Sequence, residues 1–239
     1  MMDTTMPTHV GIIMDGNRRF AKTLMQLPWK GHKYGAKKAR EVLEWACEKG
    51  IKYLTAYTLS LENLRTRPRD ELRMILNLLG QEADAMVNDA THVVHRFDVR
   101  VRFIGRLTQL PKKLQDKMHD VEKFTGKYKK HFLNIAVAYG GQQEIVDATK
   151  KILNETLKGV LRPSDLNETV VRKHLYTNGQ PAPDLIIRTG GEKRLSNFMP
   201  FQSAYSELIF LDKRWPAFSK KDFEGCLAEF ADRQRRFGA

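Results

Sequence analysis

Hydrophobic residues along the chain fall into short apolar runs, separated by stretches in which apolar residues recur every three or four positions. Six runs are rich in β-branched and apolar residues, and nearly continuous runs of this kind are typical of buried parallel strands. One of them, VRVRFI, alternates apolar and polar residues and therefore predicts a strand at an edge of the sheet. The predicted strands are 9–14, 51–58, 99–104, 132–139, 184–188 and 207–211.

The stretches between these runs predict helices. Residues 71–94 and 32–49 both carry apolar positions at helical spacing, and Gly50 is the expected C-terminal cap of the second. Further helices are predicted for 17–22 and for 223–237, which ends in the basic sequence RQRRF. Strands separated by helices predict a single α/β domain over residues 1–239, with a mostly parallel six-stranded sheet flanked by helices.

Composition adds one unusual feature, a net charge of +13. Such an excess points to an anionic partner, which composition alone leaves open among nucleic acid, a membrane surface and a phosphorylated small molecule. A surface of solvated lysines is the plainer explanation.

No apolar run approaches the roughly 18 residues that span a bilayer, and the N-terminus lacks signal-peptide features, so we expect a cytoplasmic protein. Cys47 and Cys226, far apart and outside any metal-binding spacing, are expected to be buried and reduced.

Polar residues follow several of the predicted strands. The sequences are DGNRR after the first strand, SLENLRTR after the second, GG after the fourth and RTGGEKRLS after the fifth. Ligands of open parallel sheets bind at the carboxyl ends of the strands, so these segments are expected to lie around one site. Three of the four combine arginine with a carboxylate, a pattern that solvation alone does not explain.

The segment after the first strand predicts an anion site. An Asp-Gly pair is common in plain turns, but here a helix follows it instead of a second strand. A strand–turn–helix with two arginines forms a cradle that suits a phosphate. Neither a Walker A sequence nor a dinucleotide fingerprint is present, and Asp15 is placed to help hold Mg²⁺.

The glycine-bearing loop after the fifth strand predicts a second anion site. Arg188, Arg194 and Ser196 lie on this loop. Arginine is suited to bidentate phosphate binding, and a hydroxyl adds a further donor. Two separate basic sites indicate two phosphorylated substrates.

Four segments together resemble the cis-prenyltransferase family, typified by undecaprenyl diphosphate synthase. They are HVGIIMDGNRRFAK, GHKYGAKKAREVLEWACEKGI, NIAVAYGG and PDLIIRTGGEKRLSNFMPFQSAYSELIF, in family order from about residue 9 to residue 236. The resemblance implies a homodimeric, Mg²⁺-dependent α/β enzyme that condenses an allylic diphosphate with isopentenyl diphosphate and forms Z double bonds. An apolar product implies a hydrophobic tunnel, for which residues 71–94 and 132–139 are candidate lining.

The resemblance also implies roles for individual residues. Asp15 would be the essential carboxylate, bound to Mg²⁺ at the leaving diphosphate, and Glu207 would be a second metal-related carboxylate. Ser60, Glu62 and Asn63 resemble the flexible loop that brings the substrates together, with catalytic roles for Ser60 and Asn63 and substrate binding by Glu62. The allylic diphosphate would be cradled by Gly16, Asn17, Arg18 and Arg19, with His32 beside it. Isopentenyl diphosphate would be held by Arg67, Arg188, Arg194 and Ser196.

Several positions depart from the usual family pattern. Leu64 and Phe20 stand where tryptophan is usual, Ala138 and Gln142 replace an asparagine and an arginine, and Pro28 lies near a usual arginine position. Because these changes surround the substrate cradle, they raise the hypothesis of another acceptor, such as dimethylallyl diphosphate, or of another product length.

Two other function classes stay under comparison. A non-catalytic subunit of a prenyltransferase complex would fit the departures, but Asp15, Arg188, Arg194 and Glu207 are all present. A nucleic-acid-binding module would need a basic stripe with interleaved aromatic residues or a known motif, and the sequence has neither, so nucleic acid is not an expected partner. The charge excess also suits peripheral contact with an anionic membrane.

Overall fold

The computed structural model describes residues 6–233. Its strands form one sheet, and each neighbouring pair in that sheet runs parallel. The order across the sheet is β3-β4-β2-β1-β5-β6. The strands are His9–Ile13 (β1), Tyr53–Ser60 (β2), Val99–Ile104 (β3), His131–Tyr139 (β4), Leu185–Arg188 (β5) and Glu207–Phe210 (β6).

Helices flank this sheet, as the alternating pattern predicted. They are Asn17–Thr23 (α1), Gly31–Glu48 (α2), Leu61–Thr66 (α3), Arg69–Asn88 (α4), Val93–Arg96 (α5), Lys112–Thr125 (α6), Gly141–Leu157 (α7), Glu168–His174 (α8) and Lys220–Asp232 (α9).

The apolar runs are buried on both faces of the sheet. Ile12 and Ile187 belong to the larger apolar cluster, which includes residues of α2 and α4, whereas their neighbours Ile13 and Ile186 belong to a second cluster. Successive side chains of a strand point to opposite faces, so both faces need apolar residues. The alternating strand β3 lies at an edge, as predicted.

The helix predicted over 71–94 is two helices in the structure, and this prediction was wrong. The carboxylate of Asp89 accepts hydrogen bonds from the backbone N–H (2.9 Å) and the hydroxyl (2.6 Å) of Thr91. His92 then caps α5 by accepting from the N–H of Val94 at 3.2 Å. Local side-chain bonds of this kind compete with helix continuation.

The last helix begins earlier than predicted. Ser219 and Asp222 form a capping box that starts α9 at Lys220. The helix prediction for 223–237, with its RQRRF segment, extends beyond residue 233 and therefore partly outside the described residues.

The predictions for Gly50 and for the two cysteines are confirmed. Gly50 takes a left-handed conformation (φ 74°) directly after the C-terminal cap of α2. Cys47 and Cys226 are buried free thiols, and burial raises the pKa of each to about 12. Within residues 6–233, no helix combines the length and the apolar character needed to cross a bilayer.

Candidate active site

Asp15 lies at the carboxyl end of the central strand β1. Gly16 follows it with φ 105°, and a Cβ atom there would lie 2.9 Å from the Cα of Arg214, so the turn requires glycine. The backbone carbonyl of Asp15 accepts hydrogen bonds from the N–H of Trp215 and the hydroxyl of Thr189, both at 2.9 Å. Loops that follow β5 and β6 therefore fix the position of Asp15.

The carboxylate of Asp15 lies between two arginines. One oxygen accepts from Arg188 Nη2 at 2.9 Å, and the other lies 3.3 Å from Arg19 Nη2. The Asp15 side chain is 31% exposed, whereas that of Arg188 is 5% exposed. The structure thus brings together Asp15, Arg19 and Arg188 from the two segments that the sequence predicted as separate anion sites.

The buried guanidinium of Arg188 organises the loop after β5. Its Nη1 donates to the hydroxyl of Ser196 at 2.7 Å and to the backbone carbonyl of Arg194 at 2.5 Å. Its Nε has no hydrogen-bond partner in the described part of the chain. A buried donor without a partner is costly, so an anionic ligand at this position would remove an existing penalty.

Backbone strain is concentrated in the same loop. Ser196, Asn197 and Met199 have φ values of 49°, 65° and 50°. Such left-handed conformations are uncommon for residues other than glycine and persist only where surrounding contacts impose them. The loop therefore holds Ser196 against Arg188 at a local energetic cost, as is frequent in binding sites.

Glu192 was missed by the sequence analysis. Its carboxylate lies 2.6 Å from Arg194 Nη1 and 3.9 Å from Arg19 Nη1, and so connects two exposed arginine heads. The guanidinium of Arg194 is 61% exposed and does not contact Asp15 directly. The signal available in the sequence was a carboxylate two residues before Arg194 within a predicted anion-binding loop.

A second polar cluster surrounds the buried carboxylate of Glu71, at the start of α4. One of its oxygens accepts from His32 Nε2 at 2.9 Å and pairs with Arg67 Nη1, and the other lies 3.8 Å from Arg18 Nε. The Glu71 side chain is only 2% exposed. The predicted substrate residues His32, Arg67 and Arg18 are therefore gathered by a residue that was predicted only as part of a helix. The sequence signal for Glu71 was its position four residues after Arg67, a spacing at which opposite charges pair on a helix.

Protonation follows this arrangement. Burial favours the neutral acid, but the His32 hydrogen bond and the charges of Arg67 and Arg18 outweigh it and lower the pKa of Glu71. Burial lowers the pKa of His32 below its ordinary value, although the Glu71 hydrogen bond opposes this shift. Glu71 is thus ionised and His32 neutral near pH 7.

Close contact between α1 and α2 positions Asn17. A Cβ atom on Gly31 would lie 2.0 Å from the backbone oxygen of Asn17, and one on Gly35 would lie 2.1 Å from its Oδ1. The amide of Asn17 donates to the carbonyl of Met14 at 3.1 Å. The two glycines of α2 thus allow the helix carrying Arg18 and Arg19 to approach His32 closely.

The segment after β2 is helical rather than a loop. Ser60 caps α3 by accepting from the N–H of Asn63 at 3.0 Å. Glu62, on the first turn, accepts from the amide of Asn197 at 2.8 Å and so contacts the strained loop after β5. The structure places this segment beside the anion site, while its predicted flexibility and catalytic roles stay predictions.

Glu207 lies at the amino end of its strand, whereas Asp15 lies at the carboxyl end of the parallel strands. It begins β6, opposite Leu185 at the start of β5, whereas Asp15 follows the carboxyl end of β1. Its carboxylate pairs with Arg233 at 2.7 Å. Within one chain, therefore, the structure does not bring Glu207 to Asp15.

An apolar cavity of about 160 Å³ opens next to the two polar clusters. It lies between α2, α4 and the sheet, and its lining includes Met14 and Asn17 on either side of Asp15 and Gly16. Helix α4 and strand β4 both contribute to it, as the predicted tunnel required. The principal apolar lining residues are Ile12, Ala36, Ala39, Leu43, Leu54, Ile75, Leu78, Leu79, Met86, Leu133 and Ile135.

Three of the family departures, Leu64, Ala138 and Gln142, can be placed in the structure. Leu64 packs against the main apolar cluster, and the backbone N–H of Gln142 donates to Asn197 Oδ1 at 2.8 Å. Ala138 has φ 48°, a conformation that asparagine tolerates better than alanine.

Comparison with known proteins identifies the family. The Prenyltransf model, which describes undecaprenyl diphosphate synthase, matches residues 13–238. The chain belongs to the undecaprenyl diphosphate synthase family. This membership confirms the predicted resemblance, and the protein is a cis-prenyltransferase.

Relatives agree over nearly the whole chain. A tritrans,polycis-undecaprenyl-diphosphate synthase (geranylgeranyl-diphosphate specific) from Methanopyrus kandleri is 48% identical over 232 residues, which cover 97% of this chain and 84% of the relative. The crystal structure of lavandulyl diphosphate synthase from Lavandula x intermedia, in complex with dimethylallyl diphosphate, superposes with a TM-score of 0.93 at 34% identity, covering 99% of this chain and 100% of that one. A probable undecaprenyl diphosphate synthase from Campylobacter jejuni gives a TM-score of 0.79 at 30% identity, with 98% and 99% covered.

Proposed function

We propose that this enzyme condenses an allylic isoprenyl diphosphate with isopentenyl diphosphate to give a Z-configured polyprenyl diphosphate. The observation that carries the proposal is the Asp15 carboxylate held between Arg19 and Arg188 beside an apolar cavity. Such a site has cations for diphosphates and an apolar space for the hydrocarbon. The name of the Methanopyrus relative supports geranylgeranyl diphosphate as the first allylic substrate to test.

We assign the two diphosphates to the residue sets that the family resemblance implies, and each set draws on both polar clusters. Gly16, Asn17, Arg18 and Arg19, with His32 nearby, would bind the allylic diphosphate. Arg67, Arg188, Arg194 and Ser196 would bind isopentenyl diphosphate. The unpartnered Nε donors of Arg67 and Arg188 support this assignment, because each is a buried cationic donor that a phosphate oxygen satisfies.

The charges indicate how these residues promote reaction. Arginines fixed by Asp15, Glu192 and Glu71 stabilise negative charge that develops on the departing diphosphate, without reorganising during the reaction. As that bond breaks, the allylic C1 becomes cation-like and the isopentenyl double bond attacks it; loss of a proton then forms the new alkene. Holding both diphosphates fixes the approach of the two carbons.

Asp15 fits the proposed Mg²⁺ requirement. Mg²⁺ is commonly held by one or two carboxylates together with substrate phosphate oxygens and waters. Among the described residues no group of three or more His, Cys, Asp or Glu side chains could hold a metal, so a diphosphate would supply much of the coordination. Bound there, Mg²⁺ would neutralise charge on the diphosphate.

A homodimer is proposed from an exposed apolar face of α7. Val146, Leu153 and Leu157 are 47%, 55% and 76% exposed, and their spacing of seven and four residues places them on one side of the helix. Apolar surface of this kind is typical of interfaces. A metal role for Glu207 would require a second chain, because Asp15 of the same chain lies at the opposite, carboxyl end of the strands.

We propose a cytoplasmic enzyme with peripheral membrane contact. The net charge of +13 favours anionic lipid surfaces, where an apolar product would be delivered. Partial retention on anionic but not neutral vesicles is the expected result.

The alternatives from the sequence are not favoured. The Methanopyrus relative is named as a synthase, and the site residues Asp15, Arg19 and Arg188 are assembled, which argues against a non-catalytic subunit. The neighbour named as a lavandulyl diphosphate synthase is less identical to this chain (34%) than the Methanopyrus synthase (48%), so another acceptor is a test arm rather than the proposal.

The test is product analysis by mass spectrometry with Mg²⁺, geranylgeranyl, farnesyl or dimethylallyl diphosphate as donor, and isopentenyl or dimethylallyl diphosphate as acceptor. We expect polyprenyl diphosphates with isopentenyl diphosphate, lost on chelation and reduced about 10²- to 10³-fold by Asp15→Ala. Asp116→Ala, an exposed carboxylate paired with Lys112, is the matched control and should leave activity unchanged. Product only with dimethylallyl diphosphate as acceptor, or no product with any pair, contradicts the proposal.

A further inference from the structure

The cavity between α2 and α4 has a closure near each end, in which a carboxylate is paired with a basic side chain. At the end near Asp15, Glu71 of α4 pairs with His32 of α2. Nearer the other end, Glu82 of α4 pairs with Arg40 of α2 through Nη2 at 2.6 Å and Nε at 3.3 Å, and the apolar residues Leu43 and Met86, which follow on the same helices, also line the cavity. His32, Arg40 and Glu82 line the cavity, whereas Glu71 does not.

The two closures are separated along the same helix face. Glu71, Ile75, Leu79, Glu82 and Met86 follow helical spacing on α4. Eleven residues of α-helix from Glu71 to Glu82 correspond to roughly 16 Å. Between these carboxylates the cavity wall from α4 is apolar.

A third side chain makes the distal closure rigid. His92 is fully buried, and its Nε2 lies 3.0 Å from Glu82 Oε1. Because its Nδ1 accepts from the N–H of Val94 at 3.2 Å, the ring proton lies on Nε2 and is donated to Glu82. The Glu82 carboxylate therefore connects α2, α4 and the cap of α5.

A growing hydrocarbon chain that extends from the Asp15 end of the cavity would meet different surfaces along it. Small residues of α2, Ala36 and Ala39, leave space between the clusters, and Leu54 and Leu133 extend the apolar wall towards the amino edge of the sheet. At Arg40 and Glu82 the wall becomes ionic. A hydrocarbon cannot satisfy these groups, so advancing past them would separate a hydrogen-bonded ion pair whose side chains are 39% (Arg40) and 27% (Glu82) exposed.

We propose that the Arg40–Glu82–His92 cluster is the stop that limits the length of the polyprenyl product. The inference rests on the proposed function and adds the residues that set product length in this chain. None of the three contacts Asp15 or the arginines around it in the described structure, so they act as specificity residues.

The test replaces the closure and measures product length. Arg40→Ala/Glu82→Ala should give products at least one isoprene unit longer than those of the unaltered enzyme, with total isopentenyl incorporation within about threefold. The matched control is Arg96→Ala, which removes a similar ion pair between Arg96 of α5 and Glu44 of α2 (2.8 Å) that is not part of the cavity wall. This control should leave product length unchanged.

A binding measurement separates this inference from the proposed function. Affinity for n-alkyl phosphates of increasing chain length should level off at a certain length in the unaltered protein and at a greater length in the double variant. Should the double variant fail to fold, Arg40→Gln and Glu82→Gln are measured singly for the same shifts. A product of unchanged or shorter length from the variants contradicts the proposed stop. Where no product forms, affinity that levels off at the same alkyl length as in the unaltered protein contradicts it equally.

Discussion

Glu71 shows how one buried carboxylate can organise several cations. Three basic side chains converge on it, although its own side chain is 2% exposed. Breaking one partner of a buried charge cluster leaves the others uncompensated, which is more costly than losing a surface pair.

We predict that Glu71→Gln lowers the free energy of unfolding by about 3 kcal/mol, because Arg67 loses the negative charge of its buried partner. The control is Asp116→Asn, which removes a surface pair with Lys112 on α6 (2.7 Å) and should cost under about 0.5 kcal/mol. Urea unfolding of both variants provides the measurement. An equal loss of unfolding free energy in the two variants would show that the Glu71 cluster stabilises the fold no more than an exposed ion pair does.

His9 predicts a loss of stability in acid. It is fully buried, donates from Nδ1 to the carbonyl of Pro181 and accepts from the hydroxyl of Thr55 at Nε2, each at 2.8 Å. Burial lowers the pKa of His9 from 6.5 to about 4, although the Pro181 bond and Asp184 oppose the shift. Between these values the unfolded chain binds a proton that the folded chain does not.

Acidification from pH 6.5 to 4 should therefore remove roughly 3 kcal/mol of folding stability through this residue. The stability is fully present above pH 6.5. His9→Gln should flatten this part of the pH profile in urea unfolding, leaving the slope from His32 and His95, whose pKa values are also lowered. A profile with the same slope in the variant would assign the acid sensitivity to other groups.

At the scale of elements, the contact between α1 and α2 is set by glycines. Gly31→Ala places a methyl group 2.0 Å from the backbone oxygen of Asn17, so α1 must shift and carry Arg18 and Arg19 with it. We predict a stability loss of about 1 to 3 kcal/mol and a raised KM for the allylic diphosphate.

The control for this variant is another helical glycine. Gly225→Ala lies in α9, where an added Cβ would have no neighbour within 4 Å, and it should raise stability by up to about 1 kcal/mol. Thermal unfolding and steady-state kinetics measure both. An unchanged KM for Gly31→Ala would mean that α1 does not position the cradle.

Elements were predictable where periodicity dominates. The strands were found because both faces of a parallel sheet are buried, which makes each strand an apolar run. The break between α4 and α5 was not found because it depends on the local hydrogen bonds of Asp89 and His92, while apolar spacing continues across it. Asp15 and Arg188 could be predicted from their strand ends, but Glu71 and Glu192 act through partners distant in sequence or in a folded loop.

At the scale of the whole molecule, the apolar face of α7 predicts self-association. Leu153→Asp should weaken a dimer at least tenfold, since a charge would be buried at its interface. Sedimentation equilibrium should show a shift towards the 27.6 kDa monomer. Leu24→Asp, on an apolar side chain of similar exposure (44%) at the end of α1, is the control and should remain dimeric. A monomeric unaltered protein would refute the prediction.

The central position of β1 has a consequence for synthesis of the protein on the ribosome. Strand β1 pairs on one side with β2, which follows closely, and on the other with β5, and Arg188 is 173 residues from its partner Asp15. At about 5 to 20 residues per second, translation leaves one side of this apolar strand unpaired for on the order of ten seconds. The nascent chain thus presents an open strand edge for that interval, and we expect chaperones to engage it until β5 emerges.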